Sequence, residues 1–212
     1  MSITVILIII TVLVSLGAFN SSKIMNDLIF YPPAVSDNNQ YYRFITCGFI
    51  HADYGHLFFN MISFYFFGQF VENAFEVIFG IAGKLLYLLM YMSALIASLL
   101  PTYLKNKNNQ NYRSLGASGA VSAVIFAGIL LDPANKIYLM FIPFGIPGFV
   151  FGPAYLLISA WLDNKGNDNI NHSAHIWGAL FGIAFMIVAG YVSGKYNAIG
   201  EFMEKVRFYF NS

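Results

Sequence analysis

Six apolar runs divide this sequence, and each approaches the length of a helix that crosses a bilayer, which needs about 20 residues. The runs are Ile3 to Phe19, Leu57 to Val71, Ile81 to Leu100, Ser118 to Leu131, Gly148 to Trp161 and His175 to Val192. Charged residues make up only 10% of the chain, whereas soluble domains have about 25%. So few charges are insufficient for a water-facing surface. We therefore predict an all-α, polytopic membrane protein with a bundle of six transmembrane helices, some of which extend into flanking polar residues.

The same pattern predicts a single membrane domain over residues 1–212, with a first span at 1–20, a core at 43–193 and a tail at 194–212. A signal peptide is the alternative for the first run. A signal peptide has basic residues before its apolar run, but the first lysine of this chain is Lys23, which follows the run. The run also lacks a clear cleavage site. We interpret it as a retained span. The tail alternates charged and aromatic residues, and it either lies in the membrane interface or frays.

Charge and cysteine content exclude several classes of function. The formal net charge of +1 is too small for a nucleic-acid-binding surface. Cys47 is the single cysteine, which excludes an internal disulfide and a cysteine-rich zinc site. The 11 basic residues divide five to six between the two sets of loops, so the positive-inside rule leaves the orientation undetermined.

Polar residues at membrane depth are costly and often functional, and here they gather where three of the apolar runs begin. The first cluster contains His51, His56 and Asn60. His56 and Asn60 are four residues apart, so on a helix they share a face and direct hydrogen-bond donors into one cavity. The structural alternative is a set of satisfied polar groups that tie a loop to a helix end, and we favour that alternative for His51.

The second cluster places His175 at the head of a glycine stripe. His175, Gly178 and Gly182 follow the spacing i, i+3 and i+7, and the two glycines form a GxxxG pattern that lets membrane helices approach closely. We expect His175 to face the neighbouring helix at short range. Taken alone, the pattern is equally compatible with a packing motif and an incidental histidine.

The third cluster sets Ser118 between Gly116 and Gly119 at the start of the fourth run. A serine becomes a nucleophile when a base removes its proton, and a neutral histidine suits an apolar bundle. The runs that begin near His56, Ser118 and His175 are the second, fourth and sixth, so their starts lie at one membrane face. This predicts a Ser118–His175 dyad. The oxyanion that forms when the serine attacks a carbonyl group would be stabilised by the Ser118 N–H at a helix N-terminus and by side chains of the first cluster.

Together, the three clusters resemble the motifs of the rhomboid intramembrane serine proteases. The motifs are Gly116-Ala117-Ser118-Gly119, His51-x4-His56-x3-Asn60 and Ala174-His175-x2-Gly178-x3-Gly182. The resemblance extends roughly from Arg43 to Gly182. It implies a serine endopeptidase with Ser118 as nucleophile and His175 as general base, and an oxyanion site from His56, Asn60 and the Ser118 N–H.

The resemblance also implies supporting residues and partners. Arg43 and Glu72 match loop-anchoring positions in and beside the first long loop, and His51 is structural. The substrates would be transmembrane segments of other proteins, cut near their outer ends without a cofactor or metal, within a lipid bilayer. The compact architecture favours a bacterial inner membrane. One departure is Ser122, where many rhomboids have a tyrosine that stacks on the histidine. This leaves open how His175 is held, and tyrosine or phenylalanine residues elsewhere could hold it.

Three other interpretations have less support. A catalytically inactive rhomboid-like protein that binds membrane clients typically lacks the serine or the histidine, and both are present here. A metal or haem protein is disfavoured because the i, i+5 spacing of His51 and His56 is poor for one metal, and no HExxH motif occurs. A transporter would show paired broken helices in related halves, and we find none in the sequence.

Overall fold

Helices dominate the computed structural model, which describes residues 2–139, 143–166 and 170–211. The helices are α1 (Ile3–Phe19), α2 (Ser22–Leu28), α3 (Pro32–Asn38), α4 (Arg43–Thr46), α5 (Tyr54–Phe79), α6 (Gly83–Asn106), α7 (Ser118–Leu131), α8 (Gly148–Lys165), α9 (His172–Ser193) and α10 (Ala198–Asn211). Two short strands, β1 (Lys136–Ile137) and β2 (Ile146–Pro147), pair antiparallel between α7 and α8. The prediction of a mostly helical fold is confirmed. The remaining residues of the predicted domain, 1, 140–142, 167–169 and 212, lie outside the described ranges.

Two stretches of the described chain are long and apolar enough to cross a membrane. They are Tyr54–Asn106, which contains α5 and α6, and His172–Ser193, which is α9. Helices α1 and α7 are apolar but shorter, with 17 and 14 residues. Helix α8 ends on Asp163, Asn164 and Lys165, which lower its hydropathy. The arrangement of six spans therefore remains a prediction, because length and composition alone do not identify all of them.

Helix α1 is attached to α5 through a buried carboxylate. Glu72, which is 2% exposed, accepts hydrogen bonds from the backbone N–H groups of Ile3 at 2.7 Å and Thr4 at 2.9 Å. It also accepts from the hydroxyls of Ser2 at 2.7 Å and Thr4 at 2.8 Å. A carboxylate is favourable there because the N–H groups of a first helical turn have no partner within the helix. The location expected for Glu72, beside the first long loop, was wrong: it lies at the opposite end of α1.

The first connection is held in place by Arg43, which is 7% exposed. Its Nη1 donates to the carbonyl oxygens of Asn26 at 2.8 Å and Ile29 at 2.7 Å, and its Nε donates to Gln40 Oε1 at 2.6 Å. These bonds join α2 to α4. Phe30, the next residue after Ile29, exchanges two backbone hydrogen bonds with Ser114 at 3.0 and 3.1 Å. The first connection is thereby linked to the segment that leads into α7.

Helices α7 and α9 cross at backbone contact. A Cβ atom placed on Gly178 would lie 2.0 Å from the carbonyl oxygen of Gly119, and one placed on Gly182 would lie 2.1 Å from that of Ala123. Non-bonded carbon and oxygen atoms cannot approach so closely, so both positions of α9 require glycine. Close approach of this kind is what small residues permit between membrane helices. It brings the first turn of α9 against the N-terminus of α7.

Candidate active site

The side chains of Ser118 and His175 meet at the α7–α9 crossing. Ser118 is the first residue of α7, and His175 lies in the first turn of α9, one turn before Gly178. Ser118 Oγ is 2.8 Å from His175 Nε2, which is hydrogen-bond distance. Both side chains are half-buried. A hydroxyl in contact with an imidazole nitrogen is the geometry that proton removal by a general base requires.

A cavity of about 630 Å³ opens beside this pair. Its wall includes Ser118, His175 and the polar side chains of Asp53 and Arg113. Non-helical backbone at membrane depth is stable where it is buried in protein or lines a wet cavity. The segment that leads from Arg113 into α7 meets that requirement. Ser118 therefore lies in the wall of a cavity with polar lining rather than inside a closed apolar core.

His56 and Asn60 line the same cavity. The His56 ring packs on Gly116, since a Cβ at Gly116 would lie 2.7 Å from His56 Cε1. Gly116 also has a φ of +108°, a region that favours glycine. Asn60 Nδ2 donates to the His56 carbonyl oxygen at 3.0 Å, so one amide proton is used within α5. Both predicted donor side chains thus line the cavity that contains Ser118, with Asn60 partly engaged by its own helix.

His51 connects α1 with the segment before Ser118. It is fully buried. Its Nε2 accepts from the Ala117 N–H at 3.5 Å, so Nδ1 carries the proton and donates to Ser15 Oγ at 3.0 Å. Burial, with a smaller effect of His56 and a small opposing effect of Asp53, lowers the pKa of His51 to about 3. The imidazole is therefore neutral, as its accepting role requires.

Cys47 also lines the cavity, and it is 2% exposed. Burial raises the pKa of the Cys47 thiol to about 12. Because the thiolate is the reactive form of cysteine, this thiol is inert at neutral pH. The backbone of Cys47 supports the site, because its carbonyl oxygen accepts from the Gly116 N–H at 2.9 Å.

Comparison with known proteins decides the family. The sequence profile described as Rhomboid domain matches residues 38–192, which contain all three motifs. This chain belongs to the rhomboid family. Among the residues that the structure describes, no group of three or more His, Cys, Asp or Glu side chains is arranged to hold a metal ion.

Three relatives illustrate the range of the rhomboid family around this chain. RHOMBOID-like protein 12, mitochondrial, of Arabidopsis thaliana is 31% identical over 176 residues, 76% of this chain and 50% of the relative. The human presenilin-associated rhomboid-like protein, mitochondrial, is 30% identical over 143 residues, 65% of this chain and 35% of the relative. YdcA of Bacillus subtilis (strain 168) is 28% identical over 159 residues, 71% of this chain and 69% of the relative. The chain thus spans about half or less of the two organellar relatives.

The family is membrane-embedded, so residence in a membrane follows from membership. Two of these relatives are named as mitochondrial proteins, and the third is from a bacterium. A bacterial inner membrane therefore remains a prediction for this chain.

Asn171 also lines the cavity beside Ser118, and the sequence interpretation did not include it. Its Oδ1 accepts from the Ala174 N–H at 3.0 Å and from Thr102 Oγ1 at 3.1 Å. Its Nδ2 donates to Ser114 Oγ at 3.2 Å. One amide thus caps α9 and also joins α9 to α6 and to the segment before Ser118. The capping position directly before α9 was visible in the sequence, but the two distant partners were not.

Replacing Asn171 by alanine is expected to destabilise the protein by about 1–2 kcal/mol, because loss of an N-cap typically costs that much. The amide also fixes the first turn of α9 relative to the segment before α7. Thermal unfolding in detergent measures the loss of stability. Asn164→Ala, at an exposed position of α8, is the matched control. Equal behaviour of the two variants would contradict the role of Asn171.

Ser122 and Tyr155 account for the departure from the usual rhomboid sequence. Ser122 Oγ is 3.2 Å from the hydroxyl oxygen of Tyr155, which belongs to α8. The Tyr155 ring stacks on the His175 imidazole, with ring centroids 6.4 Å apart and an interplanar angle of 26°. An aromatic ring from α8 therefore lies against the histidine, and the residue at position 122 contacts that ring. The sequence left open which residue holds His175.

Proposed function

We propose that this chain is a serine endopeptidase that hydrolyses peptide bonds in or near transmembrane segments of other membrane proteins. The 2.8 Å contact between Ser118 Oγ and His175 Nε2 in the wall of a polar-lined cavity is the observation that carries the proposal. Membership of the rhomboid family supports it. A protein that merely binds membrane clients has no need of a serine in contact with an imidazole.

The proposed reaction is a two-step acyl transfer. Ser118 Oγ attacks the carbonyl carbon of the scissile peptide while His175 Nε2 takes the hydroxyl proton. The carbonyl oxygen becomes an oxyanion, which accepts hydrogen bonds from the Ser118 N–H, His56 and Asn60. When the tetrahedral intermediate collapses, the C–N bond breaks and His175 returns its proton to the leaving amine. Water, activated by His175, then attacks the acyl-serine ester and releases the carboxylate product and Ser118.

The arrangement in the bilayer is part of the proposal. Helices α1, α5, α6, α7, α8 and α9 would form six spans, in which α5, α7 and α9 begin at the same face. The proximity of His56, Ser118 and His175 supports that assignment, because each lies in the first turn of its helix. The partners would be transmembrane protein substrates and the surrounding lipid, in a bacterial cytoplasmic membrane. The proposed steps use no cofactor.

Replacing the two histidines separately tests the division of roles. His175→Ala is expected to lower cleavage of a transmembrane reporter in liposomes by at least about 10³-fold, as loss of a catalytic base does. Its unfolding temperature should stay close to that of the wild type, because His175 is half-buried. His51→Ala is expected mainly to lower the unfolding temperature, since it removes the bonds to Ser15 and Ala117.

The outcomes separate the assignments clearly. If His175→Ala cleaves at the rate of the wild type, the proposed base is wrong. If both variants stop cleavage without any change in unfolding temperature, His51 has a direct role in the chemistry and its structural assignment is wrong.

A further inference from the structure

The imidazole of His175 contacts an aromatic residue on a third helix. Tyr155 of α8 stacks on it at 6.4 Å with an angle of 26° between the ring planes. The hydroxyl partner of the imidazole, Ser118, lies on α7. A flat ring parallel to an imidazole restricts rotation of the histidine about its χ2 angle, which determines whether Nε2 faces the serine.

The Tyr155 ring is itself held at several points. It stacks on Phe151, with centroids 5.7 Å apart, and lies tilted against Phe126, also at 5.7 Å. Its hydroxyl is 3.2 Å from Ser122 Oγ, and Ser122 is 3% exposed. A larger side chain at position 122 would occupy the space of the Tyr155 hydroxyl. The small residue on α7 and the tyrosine on α8 are therefore complementary.

We propose that Tyr155 is a positioning residue for His175, and that Ser122 secures it by a hydrogen bond between the two hydroxyls. This inference rests on the proposed function of the Ser118–His175 pair. The alignment of the dyad then depends on three helices, because α7 supplies Ser118 and Ser122, α8 supplies Tyr155 and α9 supplies His175. Tyr155 is one of three side chains of α8, with Phe151 and Leu156, that pack against Phe126 and Ile129 of α7 and Ala179 of α9.

The proposal is tested by substitutions that distinguish the effect of the Tyr155 ring from the effect of its hydroxyl. The full chain is reconstituted in liposomes with a transmembrane reporter. Tyr155→Leu is expected to lower kcat by about 10- to 100-fold, since a misplacement of about 1 Å costs up to about that much. KM should change by less than about threefold, because substrate binding is not altered. The pH profile of kcat should shift, because the surroundings of the imidazole change.

Tyr155→Phe retains the stacked ring and is expected to recover at least about half of the wild-type kcat, with an unshifted pH profile. Ser122→Ala removes the same hydrogen bond from the other side and leaves the ring, so its kcat should resemble that of Tyr155→Phe. The matched control is Tyr191→Leu, a position on α9 that is 85% exposed, and it should behave like the wild type. If Tyr155→Leu does not fold, Tyr155→Met fills more of the same space and takes its place.

Each outcome bears on the proposal. Wild-type kcat and an unshifted pH profile in Tyr155→Leu or Tyr155→Met would overturn it. An equal loss in Tyr155→Phe and Tyr155→Leu would assign the effect to the hydroxyl rather than to stacking, and would overturn it too. Cleavage that persists in Ser118→Ala would instead disprove the function on which the proposal rests, so the two failures are distinguishable.

Discussion

Ser118→Ala is expected to abolish cleavage of a transmembrane reporter and labelling by a fluorophosphonate probe. The cleavage rate should fall by at least about 10³-fold, because removal of a catalytic nucleophile leaves only the contributions of binding and oxyanion stabilisation. The thiol of Cys47, which lines the same cavity, cannot substitute for the serine, since burial raises its pKa to about 12. Cleavage in liposomes and mass-spectrometric mapping of the labelled residue measure the two effects.

The fold should persist in this variant. Ser118 is half-buried, and its replacement removes one hydroxyl from the wall of an open cavity. Ser93→Ala is a suitable control, because the Ser93 hydroxyl bonds to carbonyl oxygens of its own helix and lies outside the cavity wall. Cleavage by Ser118→Ala at the rate of Ser93→Ala, or a label mapped to a residue other than Ser118, would contradict the assignment of the nucleophile.

Gly178→Ala is expected to cause the largest loss of stability among single-methyl additions to the α7–α9 crossing. The new Cβ would lie 2.0 Å from the Gly119 carbonyl oxygen, so the two helices must separate. The obstacle is backbone, which cannot move aside as a flexible side chain does. We expect a loss of about 3 kcal/mol, the upper end of the usual range for overpacking. Cleavage should be lost as well, because the same crossing sets the contact between Ser118 and His175.

Gly17→Ala provides the matched comparison. A Cβ on Gly17 would meet nothing closer than Ile24 Cδ1 at 3.8 Å, and alanine is the better helix former. This variant should be as stable as the wild type or slightly more so. Unfolding curves in detergent, together with cleavage rates, compare the two variants. If Gly178→Ala unfolds and cleaves like Gly17→Ala, the backbone contact between α7 and α9 is not what holds the site together.

Much of the helical framework can be predicted from the sequence, because the apolar runs and capping residues that indicate a helix are close together in the chain. The fourth run was predicted to begin at Ser118, and α7 does so. The second run was predicted from Leu57, whereas α5 begins at Tyr54, where the side chain of Asp53 accepts the His56 N–H at 2.8 Å. Such small differences arise because the cap that starts a helix is polar and lies outside the apolar run that signals the helix.

The errors and omissions concern partners that are distant in the sequence. The site of Glu72 was misplaced because its acceptor role depends on Thr4, which is 68 residues away. Tyr155 was not identified because its contact with Ser122 spans 33 residues. The spacing of residues along a helix determines which side chains share a face. It does not determine which residue of another helix contacts that face.

The sequence by itself determined that the chain lies in a lipid bilayer and that it is mostly helical. It also determined the family motifs and the residue types from which a serine–histidine pair would be built. These follow from composition and from spacings of three, four and seven residues, which local backbone geometry translates directly into helical faces. Only the tertiary structure decided that Tyr155 lies against His175, that Asn171 joins three segments and that Glu72 caps α1. Those contacts depend on how far apart and at what angle the helices pack, and that is set by the backbone contact of Gly178 and Gly182 with α7 together with the rest of the bundle.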